Sequence, residues 1–260
     1  MSAPLTLVTA ATGGIGSALS QQLAAAGHRL ILLARKRDAL DALRRDLTDP
    51  DIHHVLSLDM SRPAEAIKLA ELLTTVNSSL DHAVIMPPQP HASVEPMPDS
   101  AVWRELFETS FIGPLEVLKT AIAHMHPNPA EGRRSKIVLV SGISSAQVLS
   151  HYATANVIRT AWVGQAKTLA FALGPRGIHL NTLSLGGTLS PWYQAAIKKR
   201  AETNGMTFED RLSSETDNVP LGKYGTTEEA ANAVATLLGP FSDHMTGTNI
   251  LHDGGFTRAY

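Results

Sequence analysis

The chain has 260 residues, 43% of them hydrophobic and 18% charged, with a formal net charge of -2. That length allows one or two domains with a large core, and the near-neutral balance favours neither nucleic acid nor an acidic membrane surface as a partner. There is no cysteine, which excludes disulfides, thiolate metal sites and a cysteine nucleophile.

Met1-Ser2-Ala3-Pro4 lacks the basic-then-apolar pattern of a secretory leader. No apolar run reaches the roughly 18 residues of a membrane span, so a cytoplasmic location is expected. Leu5 to Val8 reads as a strand running into Thr9-Ala10-Ala11-Thr12-Gly13-Gly14-Ile15-Gly16. Such a turn lets the backbone bend tightly and approach a phosphate, while the next helix offers unpaired N–H groups and a positive dipole end. On its own the pattern is weakly specific. Ser17 to Gly27 reads as that helix, with Leu19, Leu23 and alanines on one face.

Leu30 to Ala34 is a fully apolar strand of the kind buried in parallel sheets, followed by Arg35-Lys36-Arg37. Asp38 to Leu47 reads as an amphipathic helix, and Val55 to Leu58 as a strand ending in Asp59. Ser61-Arg62-Pro63 is expected to open a helix, with serine as its cap and proline in its first turn. Ala83 to Met86 is a fourth strand; a loop with five prolines runs from Pro87 to Pro98. Asp99 to about Met125 reads as one long helix, Lys136 to Val140 as a strand leading to Ser141, and Ala153 to Leu173 as a helix stopped by Gly174-Pro175. Ile178 to Leu185 is a sixth strand, and 187–222 is irregular and partly helical. Thr226-Thr227-Glu228-Glu229 is a capping pattern opening a helix to about Leu238, and Thr248 to Leu251 is a last short strand.

Alternating strands and helices, with near-continuously apolar strands, predict an α/β fold: one Rossmann-type doubly wound parallel sheet of about seven strands, helices on both faces. A single domain over 1–260 is expected, with a lid around 187–222. Ligands of such folds bind outside the carboxyl ends of the strands, which directs attention to 9–16, 35–37, 59–60, 85–91, 141–145 and 185–192.

Five segments give the string a resemblance to the short-chain dehydrogenase/reductase family. They are Thr9 to Gly16, Asp59-Met60, Trp103 through Gly113, Gly174 to Asn181, and the end of the chain (Pro220 to Glu229 and Thr246 to Gly255). The resemblance implies a dinucleotide cofactor held by Ala10, Thr12, Gly14, Ile15 and Gly16, by Asp59 and Met60 at the adenine, and by Thr188 after the sixth strand. Arg35 favours NADP over NAD, because a guanidinium pairs with a 2′-phosphate where NAD binders tend to place a carboxylate; NAD remains an alternative. The alternative for Arg35-Lys36-Arg37 is a solvated charge run. The family also implies a small-molecule substrate and a homotetramer or dimer formed through 99–125, 153–173 and the last strand. No nucleic acid, membrane or metal partner is expected; His53-His54 are adjacent and would point opposite ways on a strand.

In the family a Ser, a Tyr, a Lys four residues after that Tyr, and an Asn on the fourth helix carry the chemistry. Tyr152-Ala-Thr-Ala-Asn156 resembles the Tyr-to-Lys segment but ends in asparagine. Counting without gaps from Gly174-Pro175 or from Ile137 to Ser141 instead puts Ala155 at the Tyr position, Arg159 at the Lys position and Gly142 at the Ser position. The Tyr152 register needs three extra residues inside a helix, which would rotate its packing face. Ser110 stands at the Asn position, Ala10 at the first glycine, and Ile85-Met86-Pro87-Pro88 where the family has Asn-Asn-Ala-Gly.

Alanine has no proton to give, and arginine is a poor shuttle. Tyr152, one turn before Ala155, is therefore a candidate proton donor, with Ser144 beside it and Arg159 as electrostatic and ribose support. His151, Ser145 and His91 are further candidates; each has an ordinary surface or packing role as its alternative. Trp192-Tyr193 in the lid points to an apolar or ring-bearing ligand, or to lid packing. Two readings follow. One is an NADP(H)-dependent oxidoreductase with a non-standard proton source, acting on a carbonyl, enone or iminium. The other is a degenerate scaffold without redox activity, with or without a bound cofactor: a ligand or dinucleotide sensor, a non-redox cyclase or isomerase, or a partner subunit.

Overall fold

The computed structural model describes residues 3–258. Seven strands form one sheet: β1 (Leu5–Val8), β2 (Arg29–Ala34), β3 (His54–Ser57), β4 (His82–Ile85), β5 (Ser135–Gly142), β6 (Ile178–Leu185) and β7 (Asn249–His252). The order is β3-β2-β1-β4-β5-β6-β7, and every pair is parallel. The order reverses between β1 and β4, which opens a crevice at their carboxyl ends.

Because successive strand residues face opposite sides, the apolar strands feed two cores. Leu5, Leu7, Ile31 and Leu33 pack with α3 (Ala66–Val76), α5 (Gly113–Ala123) and α6 (Ala153–Leu173). Val8, Leu30, Leu32, Val138 and Val140 pack with α1 (Gly14–Ala25), α2 (Arg37–Arg45) and α9 (Thr227–Leu238). Both faces of the sheet are thus covered, as the continuous apolar strands require. No helix among the described residues is long and apolar enough to cross a membrane.

Several boundaries differ from expectation for local reasons. Helix α1 begins at Gly14, so part of the glycine turn is itself the helix's first turn. The segment after β3 is a short 3-10 turn at Pro63–Glu65 before α3. Ser61 caps neither; its amide and hydroxyl both donate to Asp59 Oδ1, at 3.0 and 2.7 Å. The long helix is present as α4 (Ser100–Phe107) and α5, joined by a π-helical turn, Glu108–Ile112. Buried Ser110 sits in that turn, and its carbonyl accepts from Trp162 Nε1 at 2.8 Å. The segment after β6 folds as α7 (Pro191–Thr203) and α8 (Phe208–Thr216). At Thr226 the capping box forms in full, with Glu229 reaching back to the Thr226 amide at 2.8 Å.

Candidate active site

The glycine turn is tied to its neighbours by its own backbone. The Thr9 amide and hydroxyl donate to the Val84 carbonyl of β4, and the Ala11 amide donates to Leu33 O of β2 at 3.0 Å. Ala10 is held at φ +49, in the left-handed region that costs a residue with a β-carbon about 1 kcal/mol or more. Gly16 faces the Ala10 carbonyl so closely that a β-carbon would come within 2.3 Å of its oxygen. The amino end of α1 has no side-chain cap and no acid in its first turn, so its first amides face the cleft free. That cleft, about 390 Å³, is lined by Ala10, Thr12, Gly13, Gly14, Ile15, Gly16, Met86 and the start of α7 at Ser190, Pro191 and Trp192.

Asp59 stands at the carboxyl end of β3. Burial would raise its pKa, but two hydrogen bonds from Ser61 and the charges of Arg35 and Arg62 outweigh that and hold it below the ordinary aspartate value. Arg35 is exposed, and among the described residues it has no ion-pair partner. Arg37, by contrast, is paired with Asp41 at 2.7 Å. The Met60 side chain is buried in the core that includes α3, α5 and α6. Thr188 turns its hydroxyl back to the Gly186 carbonyl at 3.3 Å, and the cleft wall there is made by Ser190 and Trp192 instead.

The second half of the site is built around Arg159 on α6. Its Nη1 donates to Ser144 Oγ at 3.0 Å, just past β5. Its Nε and Nη2 donate to one acceptor, Gln89 Oε1 in the loop after β4, at 3.1 and 2.5 Å. The guanidinium carbon lies 5.1 Å from the Tyr152 ring centroid. Burial lowers the Arg159 pKa and Tyr152 partly offsets this; the group remains cationic at any physiological pH. Gln89 was not singled out from the sequence, although it lies in the stretch after β4 where a ligand-facing residue is expected. Tyr152 stands just before α6, its ring tilted against that of exposed His151 with 4.5 Å between centroids. Ser145 points elsewhere, to Ser184 on β6 at 2.8 Å. His91 is exposed, and Ala155 is fully buried.

The lid brings in residues that sequence spacing did not connect. Tyr193 packs edge-on to Tyr224 at 5.7 Å, with the Arg200 guanidinium 5.5 Å over its ring. Arg200 is pinned by both oxygens of Glu215, at 2.8 and 2.9 Å, and Arg211 shares the same carboxylate at 2.7 Å. Burial raises the Tyr193 pKa, with Tyr152 among the groups whose charge acts on it.

The enoyl-(acyl carrier protein) reductase family model matches residues 9–257. The D-β-hydroxybutyrate dehydrogenase of Rhizobium meliloti is 26% identical over 260 residues, covering 96% of this chain and 97% of that protein. The fold is similar to that of L-sorbose reductase from Gluconobacter frateurii, solved with NADPH and L-sorbose (TM-score 0.90, 22% identity, 100% of this chain and 98% of that one). It is also similar to that of YwfH, an NADPH-dependent reductase involved in bacilysin biosynthesis (TM-score 0.89, 19% identity, all of both chains). With the parallel sheet, the glycine turn and the cleft at its reversal point, these matches place the chain in the short-chain dehydrogenase/reductase family.

Proposed function

We propose that the protein is an NADP(H)-dependent oxidoreductase that reduces a small, oxygen-bearing, electron-poor substrate. The observation that carries the reading is Arg159: a cation set at the carboxyl ends of β4 and β5 and held there by two neutral oxygens, those of Ser144 and Gln89.

The residues present fit a dinucleotide. The free amides at the start of α1 suit a pyrophosphate, and the close approach of Gly16 to Ala10 leaves no side chain in the way. Asp59 suits the adenine end. Arg35, unpaired beside it, suits a 2′-phosphate, which favours NADP over NAD. The NADPH in the names of both solved relatives supports the same choice.

A nicotinamide bound in the cleft supplies a hydride to an electrophilic carbon. This chain's task is to manage the negative charge that then appears on the substrate's oxygen. Three of the five Arg159 N–H donors are taken by Ser144 and Gln89, so two remain for the substrate. A fixed cation aimed at developing charge lowers the barrier without having to reorganise. It also repels an iminium, so carbonyls and enones are the favoured acceptors. Ser144 holds the guanidinium in place, and the Tyr152 phenol gives the proton. The exposed Ile112 between α4 and α5 and Phe171 on α6 support a homo-oligomer formed through these helices.

A second reading, a redox-silent ligand-binding scaffold, is favoured by Ala155, which is wholly buried and brings no hydroxyl to the cleft. The two are separated by titrating NADPH and NADH calorimetrically and then following NADPH oxidation against ketones, enones and imines. The reductase reading expects tighter NADPH binding and turnover of about 1 per second or more with an enone or ketone. Tight NADPH binding without turnover supports the scaffold, and binding of neither dinucleotide ends the redox reading.

A further inference from the structure

We propose that Arg159 is the receptor for a carboxylate carried by the substrate, so that the preferred substrates are conjugated or ring-bearing acids. The setting rests on the reductase reading above; the ground for it is the charge balance around Arg159 itself.

Among the described residues Arg37, Arg62, Arg133, Arg200 and Arg211 find acids, whereas Arg159, like Arg29, Arg35 and Arg44, does not. What sets Arg159 apart from those three is its place at the carboxyl ends of β4 and β5, between Gln89 and Ser144. Among the described residues no carboxylate oxygen lies within 4.0 Å of its nitrogens. It is also half-buried, against Gly142 on one side and the Tyr152 ring on another. A half-buried, unneutralised cation is costly, and a bound anion offsets that cost.

The geometry says which anion. Ser144 and Gln89 position the guanidinium through neutral oxygens, which leaves its full charge and two N–H donors for the ligand. A planar donor pair of this kind matches a carboxylate. Ribose hydroxyls would satisfy the hydrogen bonds but leave the charge standing. The Tyr152 ring beside the cation offers a flat apolar surface to the rest of such a molecule.

The test uses benzoate, its neutral analogue benzamide and inorganic phosphate as probes. Each is titrated calorimetrically into the whole protein, without cofactor and with saturating NADPH. Benzoate is expected to bind at least tenfold more tightly than benzamide or phosphate. Its affinity should be unchanged from pH 6 to 9, because the guanidinium does not titrate there. Arg159→Met is expected to abolish the preference for benzoate over benzamide. Arg159→Lys, which keeps the charge and guards against misfolding of the first variant, should retain part of it. Equal binding of benzoate and benzamide overturns the proposal, as does tighter binding of phosphate. So does an Arg159→Met protein that keeps the preference, or one that loses NADPH affinity more than tenfold while binding benzoate normally, which would make Arg159 a ribose ligand. If NADPH fails to bind the wild-type protein, the reductase reading falls, while the benzoate result without cofactor still decides the receptor.

Discussion

The guanidinium of Arg159 occupies the space that a side chain on residue 142 would need. A β-carbon on Gly142 would stand 2.7 Å from Arg159 Cζ and from Nη1. The two positions are therefore one unit: the missing side chain at the end of β5 is what admits the long cation from α6. Gly142 has an ordinary extended backbone (φ -122), so conformation does not demand glycine there. Space does.

Gly142→Ala should therefore separate stability from function. The obstructing atoms are the far end of a flexible side chain, which swings away instead of straining the backbone. Stability should change by less than about 1 kcal/mol in urea unfolding, as the alanine also restricts the unfolded chain. Substrate turnover should fall by about tenfold or more as Arg159 leaves Ser144 and Gln89. Adding Arg159→Lys to Gly142→Ala should restore room, giving a coupling of about 0.5–3 kcal/mol in a double-mutant cycle. Strict additivity of the two changes would disprove the shared space.

Arg35 is expected to set the choice of dinucleotide. Arg35→Ser should weaken NADPH binding by about 10- to 100-fold, the worth of a charged hydrogen-bonded contact of about 1.5–3 kcal/mol, and leave NADH nearly unaffected. Arg37→Ser is the control, since Arg37 is engaged with Asp41 and should change neither affinity much. Equal losses for both dinucleotides in Arg35→Ser would place the 2′-phosphate elsewhere.

The parallel sheet of seven strands and the helix start at Thr226 are legible in the sequence because they depend on local periodicity and capping. Thr226 and Glu229 illustrate this: the two residues that announce the capping box also make it. The helix at Ser61 shows the limit, because Asp59 competes for the serine two residues away and wins. The site was half legible. Counting forward from one strand and back along one helix assigns positions 142 and 159 to the site, and in the structure they are neighbours. Gln89 carried no such signal, since its role depends on where a proline-stiffened loop sets down beside α6. The Tyr193, Tyr224, Arg200 and Glu215 cluster was out of reach for the same reason: it joins three segments whose meeting is decided by lid packing.

Ala10 carries strain that glycine would relieve. At φ +49 its β-carbon crowds the following carbonyl, at a cost of about 1–2 kcal/mol, and glycine adopts this conformation freely. Part of the gain is lost because glycine is freer in the unfolded chain. Ala10→Gly should thus stabilise the protein by about 0.5–1 kcal/mol, raising the melting temperature by roughly 2 °C. A fall in melting temperature would mean that the alanine methyl packs usefully in the cleft wall.

His82 should make the protein acid-sensitive from the opposite end of the sheet. Burial, with smaller contributions from the nearby charges of His28 and Lys136, lowers its pKa to about 4. Its ring lies 5.8 Å from that of His28, whose own pKa is lowered by burial and partly restored by Asp81. His82 Nδ1 is buried without a hydrogen-bond partner. In the unfolded chain the same group takes its proton near pH 6.5, so between about pH 6.5 and 4 the unfolded state binds more protons than the folded one. Stability is then unaffected by His82 above about pH 6.5 and falls as pH drops toward 4, by up to about 3 kcal/mol from this group. Urea unfolding at pH 7.5 and at pH 5 measures the slope. His82→Gln, which cannot take up a proton, should flatten it and narrow the gap between the two pH values. If the slope is unchanged, His28 or the carboxylates govern the acid limb instead.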